Sequence, residues 1–326
     1  MSVGLRLLLP FLAWGVCALG ADAQQAKTEE RGHHENYRQY ARRLAERSDQ
    51  MITWEVQCRT DGSSMAREAM NAPPPKPLQL FDNFYYVGAA GVGSYLVKTS
   101  AGLILIDALG SSADAEKIIV PGIESFGLHP VDLKYVIVSH GHGDHYGGAQ
   151  WLAEKYGARV VSSEADWQVM GRPAVPPPGA PAPNWSPAPK KDLVAADGQK
   201  LTLGSTTITT VITPGHTPGT ISVIVPISVD GEPHMLAIWG GTGIGRDPVG
   251  TRQYVLSVDH FESYTEPLGV DAEISNHPFV DDGLARMEKL RANPKGSNPF
   301  IIGKGRYADY MGILKFCAMM NLRDEG

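Results

Sequence analysis

The run His140-Gly-His-Gly-Asp-His145 places three imidazoles and a carboxylate within six residues, directly after the β-branched stretch Tyr135-Val-Ile-Val-Ser139. A strand that ends in such a loop projects side chains from a rigid platform into the crevice beyond its carboxyl end. Imidazole and carboxylate together suit Zn²⁺ or a similar first-row ion. Four ligand-type residues in six are too many for one tetrahedral ion that must keep an open position. The spacing therefore points to two neighbouring metals that share one loop.

Two other histidines have the same setting. His216 lies in Thr213-Pro-Gly-His-Thr-Pro-Gly-Thr220, a rigid turn between two expected strands, and His277 lies in Ser275-Asn-His-Pro278 after the short strand Ala272-Glu-Ile-Ser275. A lone histidine is ordinarily a surface or core residue, but both of these stand at strand ends. His33, His34, His129, His234 and His260 have no such setting and read as solvated or structural.

HGHGDH followed by TPGHTPGT and SNHP resembles the metallo-β-lactamase superfamily, and within it the third subclass of class B β-lactamases, from about Pro77 to the C-terminus. The resemblance implies an α/β fold, a metallo-β-lactamase-type αβ/βα sandwich of two packed mixed sheets with outer helices. Periodicity alone supports an α/β sandwich of unspecified topology. The resemblance also implies one zinc on His140, His142 and His216 and a second on Asp144, His145 and His277. Asp107, which ends Leu103-Ile-Leu-Ile-Asp107, matches the strand-end aspartate that orients the metal loop in this family.

Many hydrolases of this fold carry a metal-bridging Asp after the strand between the third and last histidines, and two lactamase subclasses carry a Cys ligand one residue later. Here the segment reads Ile238-Trp-Gly-Gly-Thr-Gly243, with Gly241 at the Asp position and Thr242 at the Cys position. That departure counts against thioesterases, RNA-processing nucleases and di-iron redox members. Asp247 lies near enough in sequence to leave the point open.

The 326 residues, 43% of them hydrophobic, suffice for one large domain with appendages. Arg6, the apolar stretch Leu7–Leu19 and Ala21-Asp-Ala23 have the layout of a secretory signal over residues 1–23, which predicts a periplasmic or secreted protein. A membrane anchor is the alternative, but the stretch falls short of the roughly 20 residues needed to span. Cleavage removes one Arg and one Asp, so the net charge stays at −6, and the mild acidity argues against nucleic acid as partner, while the resemblance implies a small-molecule substrate. It also leaves two cysteines, Cys58 and Cys317. In an exported chain this pair suggests a disulfide from the N-terminal extension to the final helix, with two buried thiols as the alternative.

Residues 24–76 read as that extension: a polar start to residue 34, an amphipathic helix Glu35–Trp54 with Tyr37, Tyr40, Leu44 and Met51 on one face, and the stiff connector Pro73–Pro77. Residues 77–326 form the catalytic domain. Strands are expected at 84–87, 95–99, 103–107, 135–139, 201–203, 206–213, 220–227 and 234–240. Helices are expected from Ala113, at 147–156 with Gly157 as C-cap, and at 254–267, 283–292 and 306–322. Residues 171–189 hold eight prolines around Trp185. Such a segment cannot enter a central strand. It is a surface loop or, as its position in this family implies, a stiff wall of the cleft with Trp185 stacking on substrate.

The resemblance implies that two zinc ions activate a water for attack on a carbonyl carbon, with Asp144 moving the proton. No Ser or Cys stands in a convincing triad or G-x-S-x-G setting. The implied reaction is opening of the β-lactam ring of penicillins, cephalosporins and carbapenems. Thr242 could hold the substrate carboxylate, but Ile244 stands where a second hydroxyl is expected; Arg246 or Arg252 could serve as the clamp, or be solvated loop charges. A zinc hydrolase of lactones or other small cyclic esters and amides is the alternative function, and a metal-stabilised binding module without catalysis is the third.

Overall fold

Leu103-Ile-Leu-Ile106 has no polar face because both of its faces are covered: Ile104 and Ile106 enter one core, Leu103 and Leu105 another. The computed structural model describes residues 35–59, 63–172, 184–245 and 247–322. The expected signal segment, the polar residues to 34, Arg246 and most of the Pro-rich run lie outside these residues.

The first sheet contains β1 (Leu78–Phe81), β2 (Phe84–Tyr86), β3 (Tyr95–Thr99), β4 (Gly102–Ile106), β5 (Leu133–Ile137), β6 (Arg159–Ser163) and β7 (Leu193–Ala195), paired in that order. Pairing is antiparallel as far as β4 and parallel from β4 to β7. The second sheet has the order β12-β11-β10-β9-β8. Its strands are β8 (Gln199–Leu203), β9 (Thr206–Ile212), β10 (Ile221–Val229), β11 (Glu232–Trp239) and β12 (Ala272–Ser275). Only β11 and β12 pair in parallel there. Both sheets are mixed, as the α/β sandwich requires.

Alternation along the strands divides the apolar residues into three layers. Val97, Ile104, Ile106 and Ile137 of the first sheet meet Val223, Val225, Leu236 and Ile274 of the second. Leu105, Val136 and Val160 face the helical segments at 112–124 and Ala149–Tyr156. Val211, Ile224 and Trp239 face the helices Pro248–Leu268 and Lys304–Asn321.

The expected helix Glu35–Trp54 is broken. It runs over 35–48, stops at Asp49 in the left-handed region (φ 59°), and resumes as Met51–Cys58. Its ring face packs on the final helix, with Tyr37 and Tyr40 stacked against Phe316. Cys58 and Cys317 are disulfide-bonded and fully buried, so the extension is tied covalently to that helix. The helix expected from residue 254 starts at Pro248, where Asp247 accepts from the Gly250 N–H and proline occupies the first turn. Gly157 caps its helix in the left-handed region as expected. Periodicity does not predict β1, β6, β7 or the helices Ser63–Asn71 and Glu164–Met170, all of them short. Among the described residues no helix is long and apolar enough to cross a membrane.

Candidate metal centre

Four chain segments leave the sheets at one rim, and each carries polar residues to the same place. β4 ends at Asp107, β5 runs into Ser139–His145, the β9–β10 turn carries His216, and β12 runs into Asn276 and His277. A backbone bond from Ile221 N–H to the Ser139 carbonyl (2.7 Å) stitches the two sheets together at this rim.

Asp107 organises the longest of these loops. It adopts a left-handed backbone (φ 62°), a conformation that costs a non-glycine residue about 1–3 kcal/mol and must be held by its surroundings. Its carboxylate accepts from the Ser139 N–H (2.7 Å), the Ser139 hydroxyl (2.8 Å) and His145 Nδ1 (2.7 Å). One buried carboxylate thus fixes both ends of the segment from Ser139 to His145.

The histidines form two groups. Nε2 of His216 lies 3.1 Å from Nε2 of His140 and 3.0 Å from Nδ1 of His142. Nε2 of His145 lies 3.3 Å from Nε2 of His277 and 3.5 Å from Oδ2 of Asp144. In each group all three ligand atoms lie within 4.8 Å of one another.

The second ring nitrogen settles what these close approaches are. His140 Nδ1 lies 2.7 Å from the Gly240 carbonyl, His216 Nδ1 2.6 Å from the Gly243 carbonyl and His277 Nδ1 2.7 Å from the Gly91 carbonyl. A carbonyl only accepts, so each Nδ1 carries the proton and each neutral ring turns the lone pair of Nε2 toward its neighbours. Lone pairs facing one another at such distances repel unless a cation lies between them. Tetrahedral Zn–N bonds of about 2.0–2.1 Å put ligand nitrogens about 3.3–3.4 Å apart, close to the spacing here. The donor set therefore fits two first-row cations.

Burial holds the rings in that neutral state. It lowers the pKa of His140, His142 and His277, with His140 well below the ordinary range, and pushes His216 down to about 3, neighbouring imidazoles adding to the shift. At His145 burial acts the same way, but the Asp107 and Asp144 carboxylates outweigh it and raise the value. At Asp144 burial acts upward and is outweighed by His145, His277 and His142, so the carboxyl is held below its usual range.

A Cβ at Gly241 would lie 2.5 Å from the His216 Cβ, so the site is built around the missing side chain at the bridging-Asp position. Asp247 caps the helix Pro248–Leu268 and is committed there. The expected carboxylate contact from Thr242 is not supported: its hydroxyl turns inward to Asn276 Oδ1 (3.3 Å) and the residue is 2% exposed. Arg252 is exposed on the helix Pro248–Leu268 and lines a surface groove with Pro248, Val249, Gln253 and Leu256, none of them a residue of the cluster. Trp185 is half-buried on Gly110 and Gly143, so close that a Cβ at Gly143 would strike its ring. Ser186, its neighbour, donates its N–H to the Gly110 carbonyl (3.0 Å).

Three residues that matter here are not singled out by the motifs. Ser139 couples Asp107 to the loop. Asn276, fully buried, donates to the Gly240 carbonyl (2.7 Å) that also receives His140, and so links the two histidine groups. Both adjoin ligand-type residues in sequence, which is a usable signal. Asp166 adjoins none.

The family model described as the metallo-beta-lactamase superfamily matches residues 87–229. The Rm3 metallo-beta-lactamase is 30% identical with a TM-score of 0.59, covering 73% of this chain and 90% of that one. BJP-1, a subclass B3 metallo-beta-lactamase of Bradyrhizobium japonicum, is 28% identical with a TM-score of 0.61, covering 74% of this chain and 92% of that one. A hydroxyacylglutathione hydrolase of Acidiphilium cryptum (strain JF-5) is 30% identical over 92 residues, 28% of this chain and 30% of that protein. The chain thus spans less than a third of the length of that curated relative.

Proposed function

Because the chain belongs to the metallo-β-lactamase superfamily, with solved structures of its third subclass among its likenesses, we propose that it is an exported dinuclear zinc hydrolase that opens β-lactam rings. The observation that carries this reading is the pair of converging ligand groups, His140/His142/His216 and Asp144/His145/His277, beside a glycine where other hydrolases of the fold keep a bridging Asp. Export is supported by the signal-like residues 1–23 and by a buried disulfide, a bond that persists in oxidising compartments.

Zinc bound at such a site supplies a Lewis acid and lowers the pKa of water to about 7. The chain's own part is geometric and protonic. Carbonyls of Gly240, Gly243 and Gly91 and the carboxylate of Asp107 fix the imidazoles of His140, His216, His277 and His145 through their second nitrogens, so these four rings need no reorganisation when a ligand arrives. In the reaction a bond forms from water oxygen to the lactam carbonyl carbon and the carbon–nitrogen bond breaks. The Asp144 carboxylate, ionised beside three imidazoles, takes the proton from water and passes it to the departing nitrogen.

A second reading, hydrolysis of lactones or related small cyclic esters, is favoured by one feature. Thr242 is turned inward and Ile244 packs into the apolar layer, so neither presents the polar group expected for a β-lactam carboxylate. Steady-state hydrolysis of penicillins, cephalosporins, carbapenems and lactones by the zinc-loaded protein separates the two. The expected result is β-lactam turnover, carbapenems included, abolished by chelators and indifferent to serine-directed inhibitors. Lactone kcat/KM above every β-lactam by orders of magnitude would establish the second reading, and a zinc-loaded protein inactive on the whole panel would leave a binding module.

A further inference from the structure

The three histidines of the first group come from two separate loops, and Asp166 is the side chain that bonds both. It is fully buried, lies on the helix Glu164–Met170 and has no part in the chemistry described above. Its Oδ2 accepts from the Gly141 N–H (2.8 Å), between His140 and His142, and from the Thr217 hydroxyl (2.6 Å), next to His216. Its Oδ1 accepts from the Gly219 N–H (2.9 Å). The close approach is built into the sequence of both loops. A Cβ at Gly141 would lie 2.9 Å from Val169 of the same helix, and one at Gly219 would lie 2.0 Å from the Ser163 hydroxyl and 2.6 Å from the Asp166 nitrogen. The second glycine of TPGHTPGT and the first of HGHGDH thus let this helix press a carboxylate between the loops.

We propose that Asp166 is a positioning residue that sets His140 and His142 against His216, and thereby the affinity of that group for a first-row cation. The proposal rests on the metal-centre reading given above. Asp107 and the Gly91 carbonyl, rather than Asp166, hold His145 and His277. Loss of Asp166 should therefore separate the two groups instead of weakening both.

Asp166→Asn keeps the size but offers one acceptor oxygen, and its amide N–H₂ must face a backbone N–H of Gly141 or Gly219. The test is titration of the full protein with cobalt(II), read by d–d absorption, together with zinc competition against a chromophoric chelator. Far-UV circular dichroism and the Tm of the metal-free protein serve as folding controls. Wild type should bind two ions. Asp166→Asn should bind one with unchanged affinity and the other about 10–100-fold more weakly, the usual scale for a group that orients ligands, with an altered cobalt spectrum. Thr217→Val should weaken the same site in part, and Thr217→Ser should restore it. If Asp166→Asn does not fold, the Thr217 pair decides: equal cobalt spectra and zinc affinities for Val and Ser overturn the proposal. Two ions bound by Asp166→Asn as tightly as by wild type overturn it as well. Wild type that takes up no cobalt would overturn the metal-centre reading and this proposal with it.

Discussion

Asp144→Asn is expected to reduce kcat by about 10²-fold or more while the protein stays folded, the low end of what general acid–base groups contribute. The substitution keeps the volume and one acceptor oxygen but removes the charge and the capacity to take a proton. Asp144 lies with its Oδ2 3.5 Å from Nε2 of His145, and its carboxyl is held below the usual range against the upward pull of burial. An amide there cannot carry a proton from water to the leaving nitrogen, and it is a weaker partner for a cation in the second group. The first group is untouched, so Tm should move little. A variant that holds two zinc ions and turns over at a near-normal kcat would make Asp144 structural.

Arg286→Ala is expected to lower the unfolding free energy by about 3–5 kcal/mol, the cost of removing one partner from a buried ion pair. The guanidinium is 7% exposed and donates to Glu273 Oε1 (2.6 Å), Asp281 Oδ2 (3.0 Å) and the Glu273 carbonyl (3.0 Å), above the ring of Phe300. Two buried carboxylates share this one cation. Burial raises both, Glu273 in direction and Asp281 to about 8, the charge of Glu273 adding to the shift at Asp281. The sign for pH follows. An unfolded Asp titrates near about 3.9, so between there and about 8 the folded state binds the extra proton. This contribution to stability is therefore full at low pH and is lost as pH rises through that window. Urea unfolding at pH about 5 and about 9 should show the fall in wild type and a flatter dependence in Asp281→Asn. A change below about 1 kcal/mol for Arg286→Ala would mean that the remaining charges find water or other partners. The cluster also bears on the site, because Asp281 accepts the N–H of Ser275 (3.1 Å), two residues before His277.

Strand-end histidines are legible in sequence because three things coincide: an apolar run, a turn of Gly or Pro, and a ligand-type residue just beyond. That combination locates His140 to His145, His216 and His277 and implies that their strand ends share a rim, as they do. The strand over Leu103–Ile106 and the left-handed cap at Gly157 are legible for similar local reasons. Other features depend on tertiary contacts. Nothing local marks Asp49 as a break in the first helix, whose continuation follows the final helix to reach Cys317. The strand β6 has few apolar residues because its ladder partners, not its composition, make it a strand. Thr242 reads as a cleft hydroxyl until Asn276 is seen beneath it. Asp166 lies far from either ligand loop in sequence, and only the fold brings it between them.

Metal analysis of the protein after exhaustive dialysis against metal-free buffer, following zinc loading, tests the central claim most directly. Two groups of converging ligand atoms, with four of the five imidazoles fixed through their second nitrogens, predict close to two zinc ions per chain. A stable value of one would contradict the dinuclear site, and a value of none would contradict the metal centre altogether.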